Sequence, residues 1–336
     1  MTRPPPRRVL VTGAAGFLGG HVCRAFIERG IPVRALTRRP AALASARVEP
    51  WPVTGLDDTL GISRALAGVE TVIHLAAHVH AGASPPPDGP GAAPYRAVNV
   101  AGTRTLLDAS VAAGVRDFVL ASTVKAVGER NEAPWTEETR PAPADAYGAT
   151  KLQAEALVRE RAAGAALHAP ILRLPLVYGP GMKANALRLF QAVARGVPLP
   201  VGAVRNRRSY LFTGNLVAAI FATLASEAGG DTFFVTDGQD LSTAEFAREI
   251  GRALGRTPRI VAVPAGVLQA AGRAGDVLAR VAPFPLTTAA IDRLTGSLTV
   301  DASKLARLTG FRPPYSVPEA LRITCEWLRM RAGASS

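Results

Sequence analysis

Short apolar runs alternate with helical periodicity through the first half of the chain. Residues 9–11 read as a buried strand, followed by a glycine-rich turn and a helical stretch over 20–29 that Gly30 ends. Residues 32–37 read as a second strand. Residues 69–75 read as a further strand after a helical segment stopped by Gly68, 118–122 as the next, and 171–177 as another. Helical patterns fill 95–113, closed by Gly114, and 147–163. Near-continuous apolar strands separated by helices imply an α/β fold, a doubly wound parallel sheet covered on both faces. After Tyr178 the alternation breaks up among prolines, glycines and short helices. The pattern predicts a first domain over 1–177 and a smaller lobe over 178–336, with part of 209–236, including a strand near 232–235, returning to the sheet. Residues 81–94, with Pro85-Pro86-Pro87, predict a surface loop at the C-terminal end of the preceding strand, placed to be either a lid or a neutral insertion.

Composition refines this picture. With 336 residues, 48% of them hydrophobic and 19% charged, the chain can bury a sizeable core. Cys23 and Cys325 stand far apart with no metal-type spacing, which fits a reducing, cytoplasmic setting. The net charge of +13 comes from scattered arginines without aromatic interleaving, which argues against nucleic acid. Such a surface suits a phosphorylated small molecule or peripheral contact with an anionic membrane. Residues 2–8 are basic and proline-rich without an apolar core, so no secretion signal is expected, and no apolar run is long enough to span a membrane. His78 and His80 form an HxH pair without nearby carboxylate or cysteine partners, so no metal site is expected.

The strand–turn–helix at residues 9–20 carries glycines at 13, 16 and 19. Such a turn lets backbone approach a pyrophosphate in front of a helix N-terminus, which marks a dinucleotide site on a Rossmann-type sheet. Strand two ends in Thr37-Arg38-Arg39 rather than in the acid that holds the ribose hydroxyls of NAD. Arginine pairs with a 2′-phosphate, so NADP(H) is preferred, with NAD(H) as the alternative.

Tyr147 and Lys151 stand four apart on one helix face, and an ammonium beside a phenol favours its ionised form for proton transfer. These pieces resemble the extended short-chain dehydrogenase/reductase (NAD-dependent epimerase/dehydratase) family, especially its nucleotide-sugar branch. The matching residues are Thr12-Gly13-x-x-Gly16-Phe17-x-Gly19, His74-Leu75-Ala76-Ala77, Asn99 before Gly102-Thr103, Ser122-Thr123, Tyr147-x-x-x-Lys151 and the run from Leu172 to Gly181. The resemblance implies Tyr147 as acid/base, Lys151 lowering its pKa and bonding the cofactor ribose, and Thr123 on the reacting oxygen. It also implies cofactor contacts at Gly13, Ala15, Gly16, Phe17, Leu18, Leu75, Ala76 and Ala77, with Asn99 structural or cofactor-proximal and Asp57 a displaced adenine-binding acid.

In the second lobe, Asn185 matches a position that meets a substrate diphosphate, and Arg208 one that binds phosphate; a homodimer is also implied. Dehydratases of the family carry Asp-Glu after the threonine, whereas Val124-Lys125 stands here, which disfavours elimination. The segments around Thr123, Asn185 and Arg208 look most like bacterial O-antigen enzymes. The expected activity is NADPH-dependent reduction of a UDP-4-keto-6-deoxy-hexosamine, with a UDP-sugar 4-epimerase holding NAD as the alternative. A 3β-hydroxysteroid- or dihydroflavonol-type dehydrogenase and a non-catalytic NADP-binding protein complete the set.

Overall fold

The structure, a computed structural model, describes residues 3–43, 48–79, 84–227, 231–279 and 287–333. Nine strands appear among them: β1 Val9–Thr12, β2 Val33–Thr37, β3 Val48–Pro52, β4 Thr71–His74, β5 Asp117–Thr123, β6 Ile171–Leu174, β7 Leu176–Tyr178, β8 Tyr210–Phe212 and β9 Thr232–Phe234. Seven form one parallel sheet in the order β3-β2-β1-β4-β5-β6-β9, and β7 and β8 pair in parallel beside it. Chain order reverses between β1 and β4, which opens a crevice at their C-terminal ends.

Alternation along the strands explains the layers. Val9 and Val11 join Phe26, Leu216 and Ile220 on one face, beneath helices Phe17–Glu28 and Thr213–Ala225. Leu10 joins Ile62, Leu106, Phe118 and Val158 on the other, beneath Thr59–Ala65, Thr103–Ala112 and Ala146–Ala163. A separate core built on Tyr178, Phe190, Tyr210, Phe246 and Leu321 fills the second lobe, where the Tyr210 and Phe246 rings stack at 4.0 Å. Both cysteines are buried. No described helix is long and apolar enough to cross a membrane.

Strand β3 is absent from the sequence reading, the first helix starts at Phe17 rather than at residue 20, and two further elements differ in form. The single strand expected over 171–177 is split at Pro175, which has no N–H to give the ladder, and the chain passes from β6 in the large sheet to β7 in the small one. The helix expected from Tyr95 begins at Ala93, with Pro94 in its first turn, and carries a π-helical segment over Arg96–Gly102. There the missing Gly102 side chain admits Leu56, which an added Cβ would meet at 2.6 Å.

Two buried aspartates pin the layers. Asp117, at the start of β5, accepts from Thr71 at 2.8 Å and Arg116 at 2.9 Å, and pairs with Arg3 at 2.9 Å and His168 at 3.2 Å. Burial alone would push its carboxyl up, but these partners hold it below the usual range. Asp237, where the lobes meet, accepts from the Phe212 amide at 2.8 Å, Asn215 at 2.7 Å and the Tyr178 hydroxyl at 2.9 Å. With no cation among those partners, burial keeps its pKa raised.

Candidate active site

The glycine turn is built by close approach. Gly13 has φ +69°, and a Cβ there would lie 2.9 Å from the Ala76 amide nitrogen, so the turn rests directly on the chain leaving β4. Gly19 has no room for a Cβ against the Gly13 carbonyl and Ala14. Gly16 N-caps the helix Phe17–Glu28 and donates to the Gly13 carbonyl at 2.9 Å. No side chain caps that helix and no acid lies in its first turn, so its N-terminal N–H groups and positive dipole end suit an anion. The cradle therefore fits a dinucleotide pyrophosphate.

Beneath the turn, a buried polar chain ties three elements together. Thr12 Oγ1 accepts from the Leu75 and Ala76 amides at 3.2 and 3.1 Å and bonds His74 Nδ1 at 2.7 Å. His74 Nε2 meets Thr103 Oγ1 at 2.9 Å, and that hydroxyl donates to the Asn99 carbonyl at 2.7 Å. Because the Thr103 proton is already engaged, His74 Nε2 carries the ring proton and Nδ1 accepts from Thr12. Burial, with the nearby Lys151 charge, pushes the His74 pKa down to about 3, so the ring is neutral. The Asn99 side chain accepts from the His78 amide at 2.7 Å and donates to the His78 carbonyl at 3.2 Å and to Thr150 at 3.0 Å. This sews the loop after β4 to the helix carrying Tyr147. His80 lies outside the described residues, as do 81–83 of the proline-rich loop.

The rest of that loop has a definite task. Pro85 accepts the Ala146 amide at 2.8 Å and Ser84 Oγ the Tyr147 amide at 3.2 Å, two donors that a helix start leaves without intrahelical partners. Asp145 caps the same helix, accepting from the Gly148 amide at 2.7 Å, and its other oxygen takes Lys125 Nζ at 2.6 Å. Lys125 also pairs with Glu129 at 2.7 Å; burial opposes its charge, but the two carboxylates hold its pKa above the usual value.

At the end of β5, the buried Thr123 hydroxyl stands beside the part-buried Tyr147 phenol. Burial, followed by the Asp145 charge, pushes Tyr147 up to about 12, against the pull of Thr123. Lys151 is itself buried and pushed down to about 8, a fall that the Glu155 carboxylate one turn away resists. Glu155 is held in turn by Ser122 at 2.5 Å and by Arg173 of β6, through Nε at 3.1 Å and Nη2 at 2.8 Å.

Other candidates are placed more loosely. Arg38 is exposed just beyond β2, where the Arg39 amide turns back to Thr37 Oγ1 at 3.0 Å. Asp57 is exposed, whereas its neighbour Asp58 caps the next helix, taking the Gly61 amide at 2.8 Å. Asn185 is exposed on Ala184–Ala194, directly after Ala184, whose φ of +52° is unusual for a residue with a side chain. Arg208 directs Nη1 onto the Arg293 and Gly296 carbonyls at 2.7 and 2.9 Å, and burial lowers its pKa. That nitrogen therefore serves the lobe's own backbone, so a phosphate would have to be met by the rest of the guanidinium. The lobes touch where His21 Nε2 bonds the Pro180 carbonyl at 2.6 Å.

The sequence reading missed Asp145, Ser84 and Glu155. Asp145 carried an N-cap signal just before the helix pattern, and Glu155 lies four residues beyond Lys151. Nothing local marked Ser84.

Comparison with known proteins agrees with this geometry. Residues 9–235 match the NAD dependent epimerase/dehydratase family. A UDP-glucose 4-epimerase from Vibrio cholerae is 30% identical over 96% of both chains. A 3 beta-hydroxysteroid dehydrogenase/Delta 5-->4-isomerase from Mycobacterium tuberculosis is 30% identical over 94% of this chain and 88% of its own. The structure of MoeE5 in complex with UDP-glucose and NAD is 28% identical, covering 97% of this chain and 99% of that one, with a TM-score of 0.75. On the glycine cradle, the parallel sheet and these full-length likenesses, the chain belongs to the NAD-dependent epimerase/dehydratase family and is an NAD(P)-dependent enzyme.

Proposed function

We propose that the chain interconverts the C4 epimers of a UDP-activated sugar, with NAD held in the glycine cradle. The observation that carries this reading is the surroundings of Tyr147. Thr123 lies beside Tyr147, Lys151 follows one turn along the same helix near His74, and Lys125, where the dehydratases put an acid, spends its ammonium on Asp145 and Glu129. Proton transfer at one oxygen is favoured over elimination, because Lys125 is not the acid that elimination uses there. The full-length likeness to a UDP-glucose 4-epimerase and to a structure holding UDP-glucose and NAD supports the same reading.

Gly13, Gly16 and the N–H groups of the following helix would hold the pyrophosphate, and Lys151 the nicotinamide ribose. NAD held there would supply the hydride acceptor, and then the donor, for the sugar carbon. Tyr147 takes the proton of the C4 hydroxyl and gives it back, with Thr123 fixing the oxygen. Epimerisation also requires the sugar to present both ring faces, which suits a second lobe whose candidate ligand Asn185 is exposed.

Arg38 supports a second reading, NADPH-dependent reduction of a UDP-4-keto-6-deoxy-hexosamine, because no acid at the end of β2 would repel a 2′-phosphate. One set of assays separates the two. Nucleotide released on denaturation is identified, and the enzyme is incubated with UDP-glucose and UDP-N-acetylglucosamine before chromatographic separation of C4 epimers. Bound NAD with epimer formation supports the first reading. NADPH oxidation only with a UDP-4-keto sugar supports the second. Turnover of a 3β-hydroxysteroid with neither sugar outcome would overturn both.

A further inference from the structure

Helix Ala265–Leu278 turns its two faces to different surroundings. Leu268, Gly272 and Gly275 are buried, and a Cβ on Gly272 would lie 2.9 Å from Ile291 Cδ1, so this side packs closely on Thr288–Thr295. Asp276, the only acid of the helix, is directed the same way and accepts from the Thr288 amide at 3.1 Å and its hydroxyl at 2.6 Å. The opposite face carries Val267, Ala270, Ala271, Ala274, Val277 and Leu278, spaced as one apolar stripe. All six are exposed, Val267 by 57%, Val277 by 59% and Leu278 by 51%. A single exposed valine needs no explanation, but a stripe running the length of a helix does.

Further exposed apolar residues and cations lie just before the helix in the chain. Leu199 donates to the Arg259 carbonyl at 2.7 Å, and the Val261 amide to the Leu199 carbonyl at 2.9 Å, which brings Val261 and the 197–202 segment alongside. Val197 and Val261 are each 46% exposed. Arg259 and Val261, two apart on an extended stretch, point the same way, and exposed Arg273 lies on the flank of the stripe. Arg273 stands at the edge of the stripe, while Asp276, itself exposed, is engaged by the Thr288 amide and hydroxyl on the far side of the helix.

We propose that this face is a docking surface for an anionic lipid bilayer. Val267, Val277 and Leu278 enter the boundary between headgroups and acyl chains, while Arg259 and Arg273 reach lipid phosphates, their stems lying along the apolar surface. The net charge of +13 draws the whole chain toward such a membrane. This inference is independent of the reaction proposed above.

The test is flotation of the full chain with vesicles of phosphatidylcholine alone, or containing roughly a third phosphatidylglycerol. The expected result is binding to the anionic vesicles, reduced about tenfold or more by the triple change Val267→Ser, Val277→Ser, Leu278→Ser. Arg273→Glu and about 0.5 M salt should each weaken it as well. Circular dichroism and light scattering on each variant establish that fold and oligomeric state are unchanged. Absence of vesicle binding overturns the proposal, as does binding that the triple change leaves intact. Conversion of a wild-type dimer to monomer by the triple change also overturns it, and assigns the stripe to a second copy of the chain.

Discussion

The half of the molecule around Tyr147 and the lobe that begins at Tyr178 are built on different terms. In the first, polar side chains are bound to one another: Thr12, His74, Thr103 and Asn99 form one continuous chain of hydrogen bonds, and Asp145, Lys125 and Glu129 another. Groups placed this way need little rearrangement when a reaction begins. In the second, Asn185 is exposed, Arg208 is partly spent on carbonyls, and Ala184 sits in a left-handed conformation. On the proposed reading, the contrast sets a pre-organised proton-transfer site against a more open substrate lobe.

Substitutions test that contrast, from the largest expected effect to the smallest. Tyr147→Phe should lower kcat by about 10²–10⁴-fold while leaving cofactor affinity within a few-fold, since it removes the proposed acid/base and keeps the ring. Steady-state rates and calorimetric NAD titration check this, and a near-normal rate would place the acid/base elsewhere.

Asp117 and Asp237 come next. Asp117→Asn should cost about 3 kcal/mol at neutral pH, because it leaves the charges of Arg3 and Arg116 without their partner. The folded pKa of Asp117 lies below its unfolded value, so its contribution is present above the unfolded pKa and is lost as pH falls through the folded one. Asp237 has the opposite sign: its raised pKa gives a contribution present at acid pH and lost as pH rises through the folded value. Urea melts from acid to neutral pH should therefore show the Asp117→Asn penalty shrinking toward acid. The Asp237→Asn penalty should shrink toward neutrality, and parallel profiles would refute the assignment.

A smaller loss, about 2 kcal/mol, is expected for Asn99→Ala, which leaves the His78 backbone and Thr150 without their amide partner. Faster hydrogen exchange in the loop after β4 is the accompanying signature. Last, Ala184→Gly should stabilise by up to about 1 kcal/mol by relieving the positive φ. Its effect on kcat should be small beside that of Tyr147→Phe, and a large one would mean that the second lobe is held as firmly as the first.

The nucleotide-binding half was largely legible because its signals are local. The glycine spacing, the apolar strands and the four-residue step from Tyr147 to Lys151 each sit within one element. Contacts that join distant residues were not legible. Thr12 reaches His74 across 62 positions, and Arg208 reaches the Gly296 carbonyl across 88, so an arginine that reads as a phosphate ligand also serves as a lobe fastener. The split at Pro175 could have been read from proline chemistry alone. The rise of the Tyr147 pKa could not, because it depends on burial and on Asp145 acting through space.

The order of the large sheet has one more consequence. It leaves β3 and β9 at the edges, where unpaired backbone groups invite strands from other molecules. β3 runs Val48-Glu49-Pro50-Trp51-Pro52, so two of its five positions have no N–H to offer, and the exposed Glu49 adds charge. β9 is three residues long. Both margins of a seven-stranded apolar sheet are thus poor templates for edge-to-edge pairing with another molecule.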